Sequence, residues 1–364
     1  MDSFFYRKFF MMKKIDKIFD KSKSMSLDLY LEKVLYDKNF GYYQKKNPFG
    51  IKGDYVTAPN ISRVFCEMIA VWLVSFWENL KKPKNINFVE LGPGNGDFCL
   101  ALLTSLKNFP EVSSAINIFL YEKSDKLRKI QKKRIVSKKV KWINDLKKIK
   151  KNPVVFFGNE FLDALPIKQF RKINNHIYEK YACLKKNKVD FVFKKALKKQ
   201  INKLKNYQLL KRDGIIEYPE YGFKELNIVC NKIKKLNGGA LFIDYGYKTE
   251  NNIDTLQSIM NHRFNNIKKN IGNADITSLV NFNLYRKYFN TNGLIVEDVI
   301  NQSQFLQKMG IIERVEIASN KMGHKEKLDL YSRIQRLIDP SMMGRNFKVI
   351  FTKNKNCNFS LAFR

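Results

Sequence analysis

The chain has 364 residues, with 68 Lys and Arg against 34 Asp and Glu, a net charge of +34. That length predicts a core domain with a sizeable insertion, or two domains, and no run approaches the ~20 apolar residues that span a bilayer. Five cysteines without a C-x-x-C spacing, and three dispersed histidines, fit a reducing compartment with free thiols and exclude a legible zinc site, so no metal is expected.

Residues 1–24 are aromatic and basic and read as an N-terminal extension without a clean signal-peptide core. Residues 25–84 read as a helical and glycine-loop region packing on the core. Ser26 to Tyr36 is predicted helical, with Leu27, Tyr30, Leu31, Val34 and Leu35 on one face. A glycine-rich loop over residues 41–59 carries Asp54 and Thr57, and loops of this length are often functional. Ser62 to Leu80 reads as a long amphipathic helix.

An α/β rhythm starts at residue 85, and residues 85–364 read as one domain. The apolar run Ile86 to Leu91 is followed by Gly92, Gly94 and Gly96, and then by a helical pattern from Phe98. A glycine turn lets a ligand approach the backbone, beside the free N–H groups of a helix N-terminus. The third glycine comes one residue too early for the dinucleotide fingerprint. Strand Ile116–Tyr121 ends in Glu122, Val140–Ile143 ends near Asn144 and Asp145, and Pro153–Phe157 runs into Asn159, Glu160 and Asp163. Alternating strands and helices predict a parallel sheet. The rhythm breaks at residues 166–194, where three closely spaced strand runs predict an antiparallel excursion. A buried strand over 238–246 ends in Asp244, helices are predicted over 282–290 and 302–309, and Phe347–Phe351 reads as an antiparallel edge strand.

Ligands of open α/β sheets bind beyond the carboxyl ends of the strands, which makes the strand-end residues the candidates. Glu122 lies one βα unit after the glycines, where a carboxylate can accept from two ribose hydroxyls. Glu90, Asn144 and Asp145 complete the candidate cofactor set. S-adenosylmethionine (SAM) carries a sulfonium and an ammonium group, which favour nearby carboxylates such as Glu90.

The blocks Gly53–Pro59, Glu90–Gly96, Asn159–Pro166 and Ile243–Gly246 resemble the MidA family, as do His262–Arg263, Gly272–Thr277 and Gln302–Ile311. The resemblance runs in order from about Met25 to Lys353. It implies a class I (Rossmann-like) SAM-dependent methyltransferase. The expected fold is a seven-stranded, mostly parallel sheet, with an N-terminal helical region and an antiparallel substrate-recognition insertion over about 166–215. The family has bacterial and mitochondrial members. The mitochondrial ones are complex I assembly factors credited with symmetric dimethylation of an arginine in a core subunit. A protein substrate, a respiratory complex I subunit, is therefore the expected partner. The bacterial cytoplasm is the expected location and the mitochondrial matrix its alternative, and a homodimer is left open. This chain has Asn60 where the family usually has an acid, and Asn95 and Asp97 where motif I often continues with Arg and Thr.

A guanidinium is planar and keeps its charge, so a methyltransferase acting on it needs carboxylates in fork geometry near the methyl group. Glu160 and Asp163, three apart beyond a strand, are the expected clamp, with Asn159 beside them as the third catalytic candidate. The other reading is that they brace the loop. His262, Arg263 and Asp275, with Asp54 and Thr57, are candidate substrate-binding residues. The +34 charge admits a polyanion partner, but it is mostly lysine spread along the chain, as compositional drift leaves it. An RNA methyltransferase and a non-catalytic SAM-binding assembly factor are the alternatives. Asn-Glu-Phe-Leu-Asp lacks the aromatic motif expected of an RNA enzyme, and nucleic acid is not the expected partner.

Overall fold

The computed structural model describes residues 17–19, 22–48, 50, 53–55, 57–249 and 252–364. Most of the basic segment over residues 1–24, and Val56 in the glycine-rich loop, lie outside these. The chain divides into two compact units. One comprises Met1–Pro48, Ala164–Glu225 and Thr249–Leu279, and the other Phe49–Asp163, Leu226–Lys248 and Val280–Arg364.

The second unit is built on a mixed sheet. Strands Val140–Ile143, Ile116–Tyr121, Ile86–Leu91, Val154–Asn159 and Gly238–Tyr247 lie side by side in that order, all parallel. Phe347–Lys353 then pairs antiparallel with Gly238–Tyr247, and Ile295–Val296 pairs antiparallel with Phe347–Lys353. These seven strands match the number that the resemblance implies, and two further pieces, Val280–Asn281 and Ile300–Asn301, pair off this path, nine strands in all among the described residues. Strands of two residues carry no period from which a sequence pattern can be read. The register sets Leu91 beside Tyr121, Tyr121 beside Ile143, and Asn159 beside Ile243. The loops after these strands therefore open along one edge.

Ile86, Phe88, Val89 and Leu91 are all buried, as a strand covered on both faces requires. Helix Arg63–Asn79 begins where the Ser62 side chain accepts from the Val64 N–H. It buries Trp72 and Phe76 edge-on against Phe351 and Phe359, at ring separations of 5.1–5.8 Å. Before the last strand come helices Gln302–Lys308, Ile311–Ser319 and His324–Ile338. Only the first is legible in the sequence. In His324–Ile338 only Ile334 and Leu337 are buried, so its apolar stripe is too thin to stand out.

The first unit holds an antiparallel sheet. Ser24–Ser26, His176–Lys185, Lys168–Ile173 and Gly214–Tyr218 pair in that order, and Lys188–Lys195 also pairs with His176–Lys185. Strand Gly214–Tyr218 carries the antiparallel region beyond the excursion at 166–194. A separate sheet sets Gln257–Met260 between Arg263–Asn265 and Asp275–Thr277. The buried Lys168 ammonium lies 3.2 Å from the Asp28 carboxylate and 2.6 Å from that of Glu179, both buried. A desolvated charge persists only when it is paired in this way.

Candidate active site

The strand Ile86–Leu91 runs into three glycines with φ of +67°, +54° and +80° at Gly92, Gly94 and Gly96. This left-handed region is open to glycine and costly for most side chains. Helix Asp97–Ser105 starts directly after the turn. A Cβ at Gly92 would press on the Phe161 ring at 3.2 Å, so the loop after strand Val154–Asn159 lies against the turn. A cavity opens where these stretches meet the loop before helix Arg63–Asn79. Thr57, Asn60, Glu90, Gly92, Gly94, Asp97, Asn159 and Glu160 are among the residues lining it.

Glu90 is buried, and its Oε2 has no hydrogen-bond partner among the described residues. Burial, then the nearby Asp97 and Glu122 carboxylates, push its pKa up to about 8. Glu122 is also buried and accepts from the Ser124 N–H at 2.7 Å and from Gln131 Nε2 at 3.2 Å. Burial raises it to about 7 against those hydrogen bonds. Gln131 also donates to the Gly94 carbonyl at 2.8 Å and accepts from the Trp142 indole at 3.0 Å. It ties the glycine turn to Glu122, a role that sequence reasoning missed. The available signal was its spacing, one helical turn after the buried Leu127.

Asn60 also has a place that sequence reasoning left open. Its Nδ2 donates to Asp97 at 2.6 Å, and its Oδ1 accepts from the Thr57 hydroxyl at 3.1 Å. Arg134 binds the other Asp97 oxygen at 2.5 Å and the Asn95 carbonyl at 2.8 Å. These bonds fasten the 57–61 turn to the cofactor turn.

Glu160 holds a φ of +53°, a strained value for a residue with a side chain. Its Oε1 accepts from Asn159 Nδ2 at 2.9 Å and from the Ala58 N–H at 3.4 Å. Burial pushes this carboxyl up to about 7. Asp163 is not in the cavity lining. Its N–H and that of Leu162 donate to Asp244 Oδ2 at 3.2 and 2.7 Å, and the Tyr245 N–H donates to Oδ1 at 2.8 Å. Asp244 is fully buried, and burial, then Asp163 and Glu160, hold its carboxyl well above the usual range. Three acids thus cluster where two central strands end.

The remaining candidates are placed elsewhere. Asn144 and Asp145 are exposed at the end of Val140–Ile143 and do not line the cavity. Asp145 accepts from the Lys147 N–H at 2.9 Å, and Asn144 accepts from the Lys148 ammonium at 3.2 Å. Asp54 is buried in the second unit. His262 and Arg263 are exposed at a hairpin turn in the first unit. Asp275, also in that unit, is buried and accepts from the Tyr43 hydroxyl at 3.0 and 3.2 Å.

A strand, a glycine turn and a helix frame a cavity whose buried carboxyls suit a cationic ligand. The family described as "Putative S-adenosyl-L-methionine-dependent methyltransferase" matches residues 68–300. The chain belongs to this methyltransferase family. It is similar to the protein arginine methyltransferase NDUFAF7, mitochondrial, of Xenopus laevis, 29% identical over 347 residues, covering 88% of this chain and 78% of that protein. The Mus musculus protein of the same name is 28% identical, covering 87% and 78%. A crystal structure from Burkholderia thailandensis, bound to S-adenosyl-homocysteine, superposes with a TM-score of 0.81 at 22% identity, covering 97% of this chain and 95% of that one.

SAM is the cofactor of this methyltransferase, and the residues that line the cavity suit it. The Glu90 oxygen that is unpartnered among the described residues lacks a donor that an ammonium group would supply, and its carboxylate form would also attract a sulfonium charge. Gly94→Val sets a β-branched side chain at a φ of +54° on the cavity wall. Its Kd for SAM by calorimetry should rise by at least about tenfold, which is ~1.4 kcal/mol. Unchanged affinity would move the cofactor away from this turn.

Proposed function

We propose that this methyltransferase transfers the SAM methyl group to an arginine of a protein substrate. The carrying observation is Glu160, a carboxyl held over the glycine-turn cavity on a strained backbone, with Asp163 and Asp244 behind it. In this reading Glu90, Gly92, Gly94 and Glu122 hold the cofactor, Gln131 positions Glu122, and Glu160 receives the guanidinium. The relatives' names support arginine as the acceptor, and mitochondria rather than the bacterial cytoplasm as the location. On the resemblance to the MidA family, the proposed target is a respiratory complex I subunit. The antiparallel segment over 166–215 is the proposed recognition element. Mass spectrometry of the host's complex I subunits, with and without this protein, tests the reading. Methylarginine present only with the protein is expected, and identical arginine masses in both samples would refute it.

The cofactor step should depend on pH. Glu90 faces the acids Asp97 and Glu122, and its carboxyl without ligand sits near 8. A bound cation favours the ionised form, so binding below that pH releases a proton. SAM affinity should therefore rise with pH, by up to about tenfold per unit, and level off above about 8. Glu90→Gln should flatten the profile between pH 6 and 9. A flat profile in the native protein would detach Glu90 from the cofactor's charge.

A further inference from the structure

A groove of about 960 Å³ lies in the second unit, between the start of helix Arg63–Asn79 and the helices Ile311–Ser319 and His324–Ile338. That volume is at the upper end of the ~300–1,000 Å³ range of small-ligand sites. Asn60 lines both this groove and the cofactor cavity, so the two adjoin at that residue. Arg63, Arg314, Lys325 and Arg333 face it against Glu67, Glu326 and Asp329.

The acids are already engaged. Glu67 is 3.5 Å from Arg63 and 2.8 Å from Arg314. Asp329 holds Arg333 at 2.8 Å, and Glu326 accepts from the Gly323 N–H at 3.0 Å. Lys325 and Arg336 have no ion-pair partner among the described residues. Lys325, Asp329, Arg333 and Arg336 stand at i, i+4, i+8 and i+11 of one helix, a spacing that lines them along one face. Arg333 also donates to the Ile61 carbonyl at 3.3 Å, docking this face onto the turn that carries Asn60. Arg336, on the same helix face but outside the groove lining, acts electrostatically on Glu160. Of the cations that line the groove, Lys325 is the one without an ion-pair partner among the described residues. Among the described residues no aromatic ring lines the groove, so the stacking that single-stranded nucleic acid uses is not offered there.

We propose that this groove holds an acidic stretch of the polypeptide substrate, adjacent in sequence to the residue that is methylated. This rests on the protein-arginine reading above. The acidic stretch supplies the carboxylate that Lys325 lacks, and the groove leads the chain past Asn60 toward Glu160. Charge across such a rim governs encounter and selection among substrates more than the chemical step.

The test uses the full chain with S-adenosyl-homocysteine present, and fluorescent peptides carrying one central arginine flanked by four glutamates, four serines or four lysines. Anisotropy should show the glutamate peptide binding at least about tenfold tighter than the serine peptide. The double variant Arg63→Glu, Lys325→Glu should lose that preference while its SAM affinity and Tm stay at wild-type values. A preference that survives the double variant, or that favours the lysine peptide, overturns the proposal. So does tight binding of single-stranded RNA with no discrimination among peptides. A glutamate peptide with lysine in place of the arginine separates the two readings. Equal methylation of both would remove arginine as the specific acceptor and leave the groove standing. Loss of the acidic preference alone would remove the groove and leave the arginine.

Discussion

Glu160→Gln should slow methyl transfer to the protein target by about 30-fold or more while SAM affinity barely changes. A carboxylate that receives a desolvated cation contributes on the order of 2–5 kcal/mol when its partner is lost, far more than a rim charge. Each ~1.4 kcal/mol is tenfold in rate. The amide keeps the shape and keeps an oxygen able to accept from Asn159 Nδ2 and the Ala58 N–H. The strained backbone at φ +53° is therefore retained, and Tm should not move. Asp163→Asn should act more weakly, because Asp163 stands outside the cavity lining and beside Asp244. Single-turnover kinetics read both variants. A near wild-type rate for Glu160→Gln would make this carboxyl a brace for the turn at Ala58 and not a substrate ligand.

The features carried by short stretches were open to sequence reasoning. The run Ile86–Leu91 is apolar on both faces because helices and strands cover both, and the glycines beyond it mark a backbone that needs positive φ. The strand runs after residue 166 have the close spacing of antiparallel pairs, and they form such pairs. What stayed hidden depends on contacts far apart in the chain. Asn60 binds Asp97 from 37 residues away, and Leu162 binds Asp244 across 82. Nothing in the composition near Asn60 or Gln131 distinguishes a buried polar bridge from a solvated side chain. The first unit is assembled from three separate segments, an arrangement no local period can announce. Asp163 and Glu160, three apart in sequence, take different surroundings because the backbone turns sharply at Glu160.

Asp244→Ala should lower Tm by on the order of 10 °C and reduce kcat by about tenfold or more, with SAM affinity little changed. Asp244 is a positioning residue in this account, touching neither cofactor nor substrate. Its two oxygens accept the N–H groups of Leu162, Asp163 and Tyr245 in a site closed to water. Removing it leaves one buried donor and two part-buried ones unanswered, at about 1–3 kcal/mol each before relaxation. Stability then falls by roughly 3–5 kcal/mol, which at ~2–4 °C per kcal/mol gives the expected shift. The rate falls because the freed loop carries Glu160. Asp244→Asn grades the bracing. Burial, then the Asp163 and Glu160 carboxyls, hold the Asp244 carboxyl well above the usual range. The amide keeps one accepting oxygen and sets an NH2 donor against the backbone donor or donors that faced the other. The Asn variant should therefore fall between wild type and Ala in both Tm and kcat. Were Asn as damaging as Ala, both oxygens would be required as acceptors. Were Ala harmless in both Tm and kcat, the loop that carries Glu160 would be held by something other than Asp244.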